Sequence, residues 1–252
     1  MALTQKQKVY IFGGCAVAVV LSLCCMVVSA VLFRSMFVGS GNVVTRDTDV
    51  DDFSSFEFNG AAEVRLIQGD STSVSIQGED NVLDTYTVSV ADGRLTVGTE
   101  RRGLFDVIPT KPVIVTVYLE DITEIDLNGA ADFNADRLQL RDVTLRIDGA
   151  SSVTMDLFAD SLTAVVNGAG SVELLGNTNK LDLTLNGAGS FSSAVLRSRE
   201  CTVTINGAGS ALVNCASTLD ATINGTGSIE YLGDPQLTQE INGLGTIKKG
   251  NE

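Results

Sequence analysis

Polar and apolar positions in the C-terminal half of this chain recur in columns. The segment Ile205-Asn206-Gly207-Ala208-Gly209-Ser210 has close copies whose Asn, once Asp, falls at Asn128, Asp148, Asn167, Asn186, Asn206, Asn224 and Asn242, at intervals of 18 to 20 residues. Immediately before it stand Leu127, Ile147, Val166, Leu185, Ile205, Ile223 and Ile241, and two residues earlier Ile125, Leu145, Ala164, Leu183, Val203, Ala221 and Gln239. The column between them is mostly polar: Asp126, Arg146, Val165, Thr184, Thr204, Thr222 and Glu240. This two-residue period predicts a short strand with one face inward and the other in water. Alternation resumes after the motif, with Phe133, Val153, Val172, Phe191, Ala211, Ile229 and Ile247 inward. Each repeat is therefore two strands joined by a sharp bend.

The bend has its own chemistry. Gly129, Gly149, Gly168, Gly187, Gly207, Gly225 and Gly243 directly follow the Asn or Asp, where glycine allows a positive φ without a Cβ clash. Stacked one per coil, the Asn side chains can hydrogen-bond to one another. Asn-Gly is also the signal of a two-residue hairpin, so a chain of antiparallel hairpins is the competing arrangement. A hairpin ladder, however, does not require the same columns to return every 18 to 20 residues, which is the length of a coil of two short strands and two bends. The pattern predicts an all-β fold, a parallel β-helix in which each coil shields its apolar side against the next.

Upstream, Phe56-Glu57-Phe58-Asn59-Gly60-Ala61-Ala62-Glu63-Val64 is a diverged further copy. Strand-like runs follow at Ser73 to Ile76, Tyr86 to Val90, Arg94 to Val97 and Val113 to Leu119, with a turn at Ala91-Asp92-Gly93. These are expected as irregular first coils, so the solenoid is placed at residues 53–249. Residues 34–52, with Gly39-Ser40-Gly41, are expected as a linker.

Residues 9–33 contain no charged side chain. Their length suffices for a tilted helix, at ~1.5 Å per residue, to cross a ~30 Å hydrocarbon layer. Lys6 and Lys8 precede this stretch and Arg34 follows it, a bias that places residues 1–8 in the cytoplasm and the solenoid outside. The alternative is a cleaved secretory signal, with Val28-Ser29-Ala30 at the cleavage site, although the apolar run exceeds the usual ~7–15 residues. Either way the solenoid reaches the same side. Cys15, Cys24 and Cys25 lack the surroundings of a lipidation site.

The segments Val74-Ser75-Ile76-Gln77-Gly78-Glu79 and Asp92-Gly93-Arg94-Leu95-Thr96-Val97, followed by the Asn-Gly-Ala-Gly-Ser series, resemble the family called putative auto-transporter adhesin, head GIN domain. The resemblance runs from about Phe53 to Gly245. It implies a right-handed parallel β-helix outside the cytoplasmic membrane of a bacterium, and its name carries a proposal of adhesion.

Cys201 and Cys215 lie seven residues on either side of Ala208, at the centre of one bend. Packed sheets stand ~10 Å apart and a disulfide needs Cα atoms within ~4.4–6.8 Å, so the two can bond only where the coil narrows toward its second bend. An oxidising compartment permits the bond; two buried thiols are the alternative.

Charge and composition narrow the function. Beyond Arg34 there are 14 basic and 31 acidic side chains, a net charge of −17, which disfavours nucleic acid as a partner. The chain has no His, so His-dependent catalysis and imidazole metal sites are excluded. The glycine series lacks the Lys-Ser/Thr of a phosphate-binding loop, and no cofactor or metal is expected. Glu124 and Asp126, about 7 Å apart on one outward strand face, have the spacing of an inverting glycosidase pair. Asp182 and Asp220 share the Glu124 column with several Thr, so a solvated face is the alternative to an enzyme. The expected function is a non-catalytic binding or adhesive module, tethered through residues 9–33 to the cell membrane and contacting an envelope glycan or protein. An envelope-structural or stress-sensing role is the second reading, and a carboxylate-dependent polysaccharide-cleaving enzyme a distant third.

Overall fold

The computed structural model describes residues 38–100 and 107–251. From Glu124 onward the chain winds as a regular solenoid. Strands β1 (Val43–Asp49), β2 (Ser55–Gly60), β3 (Glu63–Gln68) and β4 (Ser73–Glu79), the single-turn α1 (Asp80–Leu83), β5 (Tyr86–Ala91), β6 (Arg94–Thr99) and β7 (Ile114–Leu119) form its N-terminal end. The regular coils comprise β8 (Glu124–Gly129), β9 (Asp132–Gln139), β10 (Asp142–Gly149), β11 (Ser152–Val166), β12 (Ser171–Leu185), β13 (Ser190–Ile205), β14 (Ser210–Ile223), β15 (Ser228–Leu232), β16 (Gln236–Ile241) and β17 (Thr246–Lys249). The result is an all-β solenoid of about 7 turns.

Two walls face each other across the interior. The segments that lead into the Asn-Gly bends pair in parallel, register to register: Leu127 with Ile147, Ile147 with Val166, Val166 with Leu185, and so on to Ile223 with Ile241. The segments that leave the bends form the other wall, where Val153, Val172, Phe191, Ala211, Ile229 and Ile247 align. Strands β11 to β14 each run along the second wall, turn, and continue into the first. The stacking is thus parallel, and the hairpin alternative fails because successive copies pair along the stack rather than with the strand across the bend.

The inward columns are the core. Leu127, Ile147, Leu185, Ile205 and Ile223 are fully buried, as are Phe133 and Ile229, each side chain contributing about 1.5–3 kcal/mol by leaving water. At the last coil the same columns open. Gln239 replaces the apolar residue, and Ile241, whose strand segment is paired with β14 on one side, is 42% exposed.

The N-terminal end departs from the sequence reading in two ways. Residues 34–52, expected as a linker, include β1, which pairs antiparallel with β4 over its whole length. Its exposure pattern shows no apolar face, so alternation could not reveal it; backbone hydrogen bonding holds it at the edge. The first coil is also out of sequence order. Strand β2 lies between β6 and β8, with Asn59 in register with Asn128, and β3 lies between β7 and β9. The chain folds one coil, builds an end cap from β4 to β7 on one side of it, and then crosses back to continue on the other side. The antiparallel pairs β4–β7 and β5–β6 close that end.

The expected membrane segment 9–33 lies outside the described residues. Among those described, no helix is long and apolar enough to cross a membrane.

Candidate functional site

The bends form one rim of the solenoid. Asn186 Nδ2 donates to Asn167 Oδ1 (2.7 Å), Asn206 to Asn186 (2.8 Å), Asn224 to Asn206 (2.8 Å) and Asn242 to Asn224 (3.0 Å). Asn167 donates to Asp148 (2.5 Å) and Asn128 to Asn59 (3.0 Å). One amide per coil, 18 to 20 residues apart, produces a polar ladder of the kind stacked Asn side chains favour. The backbone takes part as well, since Asn186, Ala188 and Ser190 N–H groups donate to Val166, Gly168 and Gly170 carbonyls of the preceding coil. The bends are therefore ordered structure rather than free loops.

Glycine follows Asn for a different reason from the one expected. Of these seven glycines only Gly129 has a positive φ, +145°. The others are needed because a Cβ on Gly149, Gly168, Gly187, Gly207, Gly225 or Gly243 would lie 2.0–2.3 Å from the carbonyl oxygen of the glycine one coil below. Close backbone approach, not turn handedness, selects the residue.

The outward columns make two polar walls. On the first, Thr144, Thr163, Asp182, Thr202, Asp220 and Thr238 align. On the second, the bend-proximal Ser171, Ser190, Ser210 and Ser228 align beside Glu173, Ser192, Leu212 and Glu230. Among the described residues no group of three or more His, Cys, Asp or Glu is placed to hold a metal.

The carboxylate pair Glu124 and Asp126 is brought together, but under a cation that the sequence did not associate with it. Arg94, on β6, reaches across β2 and places Nη1 2.5 Å from Asp126 Oδ2 and Nη2 2.6 Å from Glu124 Oε2, with Glu57 at 3.8 Å. The hydrogen bond to Asp126, then the charges of Glu124, Asp126 and Glu57, raise the Arg94 pKa against its partial burial. Asp126 is buried, and its second oxygen lies 3.6 Å from Arg146. Such a network pins the irregular N-terminal coils to the regular stack. Both carboxylates are engaged by the one guanidinium, so the glycosidase-like spacing coincides with an ion-pair cluster. The link is invisible in sequence because it depends on β2 being inserted between β6 and β8.

A second carboxylate sits at the capped end. Glu79 is fully buried and accepts hydrogen bonds from Thr110 Oγ1 (2.6 Å) and the N–H groups of Gly41 (2.6 Å), Thr110 (2.7 Å) and Lys111 (3.2 Å). The Thr110 hydroxyl first, with these backbone donors, lowers its pKa against the opposing effect of burial.

Cys201 and Cys215 are joined, with Cα atoms 6.2 Å apart. They occupy the start of one strand segment and the end of the next, both near the second bend, where the coil is narrow enough for the bond.

Residues 52–235 match the family described as "Putative auto-transporter adhesin, head GIN domain". The chain belongs to that family. Its fold is similar to that of a putative adhesin from Bacteroides fragilis, with TM-score 0.81 and 25% identity over 85% of this chain and 100% of that one. A putative lipid binding protein from Parabacteroides distasonis (TM-score 0.69, 22% identity, 85% and 99% covered) and a putative adhesin from Parabacteroides merdae (0.62, 23%, 85% and 98%) share the fold. No curated protein matches the chain.

Proposed function

We propose that this GIN-domain chain is a non-catalytic binding or adhesive module at the bacterial cell envelope. In this reading residues 9–33 hold it in the membrane and its solenoid, wound right-handedly, projects outward. The observation that carries the proposal is the in-register stacking of polar columns on two continuous walls. Such walls repeat mostly hydroxyl and carboxylate groups at the ~4.8 Å strand spacing, which suits repeated contact with a polymer or an extended partner. The family description and the adhesin relative at 25% identity support the same reading. The Cys201–Cys215 bond supports an oxidising location, and the engagement of Glu124 and Asp126 by Arg94 speaks against hydrolysis at that pair.

Two measurements test it. External protease applied to intact cells should digest the solenoid, and protection would overturn the topology. The full-length chain in mild detergent should be retained on isolated envelope polymers or envelope proteins, and retention on none would overturn the binding role. Release of reducing ends from any glycan would favour an enzyme instead.

A further inference from the structure

Six phenylalanines fall among the described residues. Phe53, Phe56, Phe58, Phe133 and Phe191 are at most 7% exposed; Phe158 is 51% exposed. It stands on the second wall, near the second bend, in register with Gln139 on one side and Asn177 on the other. Its ring is thus bracketed by amide side chains at the strand spacing. Beside it opens a recess of about 450 Å³ that also receives Arg141, Asp160 and Asn179, within the ~300–1,000 Å³ of small-ligand sites.

The backbone around the ring is fixed. Leu140 N–H donates to the Phe158 carbonyl (2.9 Å), and Asp160 and Ser161 N–H groups donate to the Arg141 carbonyl (2.8 and 2.9 Å). Asn179 Nδ2 orients the Asp160 carboxylate at 3.2 Å. The side chains of Gln139, Asn177 and Arg141 are exposed, which leaves their donors and acceptors available to a ligand.

We infer that Phe158 and the polar groups around it form a saccharide subsite for uncharged pyranose units of a glycan. An exposed aromatic face covers the apolar C–H face of a sugar ring, while flanking amides and a carboxylate satisfy its ring of hydroxyls in both donor and acceptor senses. The recess has room for roughly one or two rings. The net charge of −17 beyond Arg34 repels polyanionic glycans, which favours neutral sugars. This inference rests on the binding-module reading and names one place and one ligand class for it.

The test uses the full-length chain in mild detergent, titrated calorimetrically with cellotetraose, chitotetraose, maltotetraose and mannotetraose, and with a tetragalacturonate as the charged comparison. Saturable binding of at least one neutral tetramer is expected. Phe158→Ala should weaken it roughly tenfold or more through loss of the buried ring contact, Phe158→Trp should retain it, and Asn177→Ala should weaken it several-fold. Val195→Ala, removing another exposed apolar side chain, should change nothing. Binding of no neutral tetramer, preference for the charged one, or equal affinity in Phe158→Ala overturns the subsite. Envelope retention of Phe158→Ala equal to that of the unaltered chain would then leave the binding module standing on another surface, whereas absence of retention for the unaltered chain removes both.

Discussion

Asp148 lies in register beside Asn128, and at this step, among the described residues, no side-chain amide hydrogen bond joins the two positions, although the backbone N–H of Ala150 donates to the Gly129 carbonyl. Asn128 directs its Nδ2 to Asn59 and Glu57, so its oxygen is left toward an aspartate that, ionised, can only accept. Asp148→Asn should restore the missing donor. The expected gain is about 1 kcal/mol, read as slower amide exchange in the two flanking bends and a higher unfolding midpoint.

The glycine ladder predicts a sharp contrast. Gly187→Ala places a methyl group about 2.1 Å from the Gly168 carbonyl oxygen, so adjacent coils must separate, at a cost of about 3 kcal/mol. Gly69→Ala, where nothing lies within 4 Å of the added carbon, should be close to neutral. Because solenoids unfold in segments, the loss at Gly187 should appear first as local exchange in β12 and β13.

The Cys201–Cys215 bond closes a loop with a sequence separation of 14. Its removal by paired Cys→Ala replacement should cost about 3 kcal/mol, as expected from loop-closure entropy. Denaturation of the unaltered chain with and without reductant should show a comparable difference. Two alkylatable thiols in that coil without reductant would contradict the bond.

The Glu79 clasp makes the capped end acid-sensitive. Its carboxyl pKa lies below the ordinary value of 4.5 in the folded chain, so the folded state binds the proton less readily than the unfolded one. The resulting stabilisation is complete above about pH 4.5 and is lost as pH falls through the lowered folded value. The protection factors of amides in residues 38–49, taken relative to intrinsic exchange at each pH, should therefore fall on acidification while β12 and β13 stay protected. Glu79→Gln should expose the same segment at neutral pH, and the difference from the unaltered chain should shrink in acid.

Sequence carried the regular coils because each has two buried faces of period two, anchored by a bend whose Asn and Gly recur. Leu127 to Ile223 and Phe133 to Ile229 could be assigned inward from those columns alone. The capped end was less legible for physical reasons. Val43–Asp49 has no buried face, and α1 has only four residues. The neighbour of Asn128 is Asn59, 69 residues earlier, a distance set by an inserted cap rather than by the repeat. Arg94 and Glu79 act through that insertion, so neither role had a local signature. Phe158 lies beyond the columns nearest the bend, in a stretch where pairing slips between Met155 and Leu157. Cysteine spacing allowed a bond but left free thiols open, because only the narrowing of the coil decides between them.

The interleaving of β2 between β6 and β8 separates the order of synthesis from the order of assembly. A chain emerging from its N-terminus offers Ser55–Gly60 no partner until residue 94 has followed, and no second partner until residue 124 has. From β10 onward, each newly delivered turn can settle at once on the one before it. The earliest-made winding is therefore among the late pieces to be locked in place, and a chain interrupted before Glu124 exposes a phenylalanine-rich edge that only the missing remainder can cover.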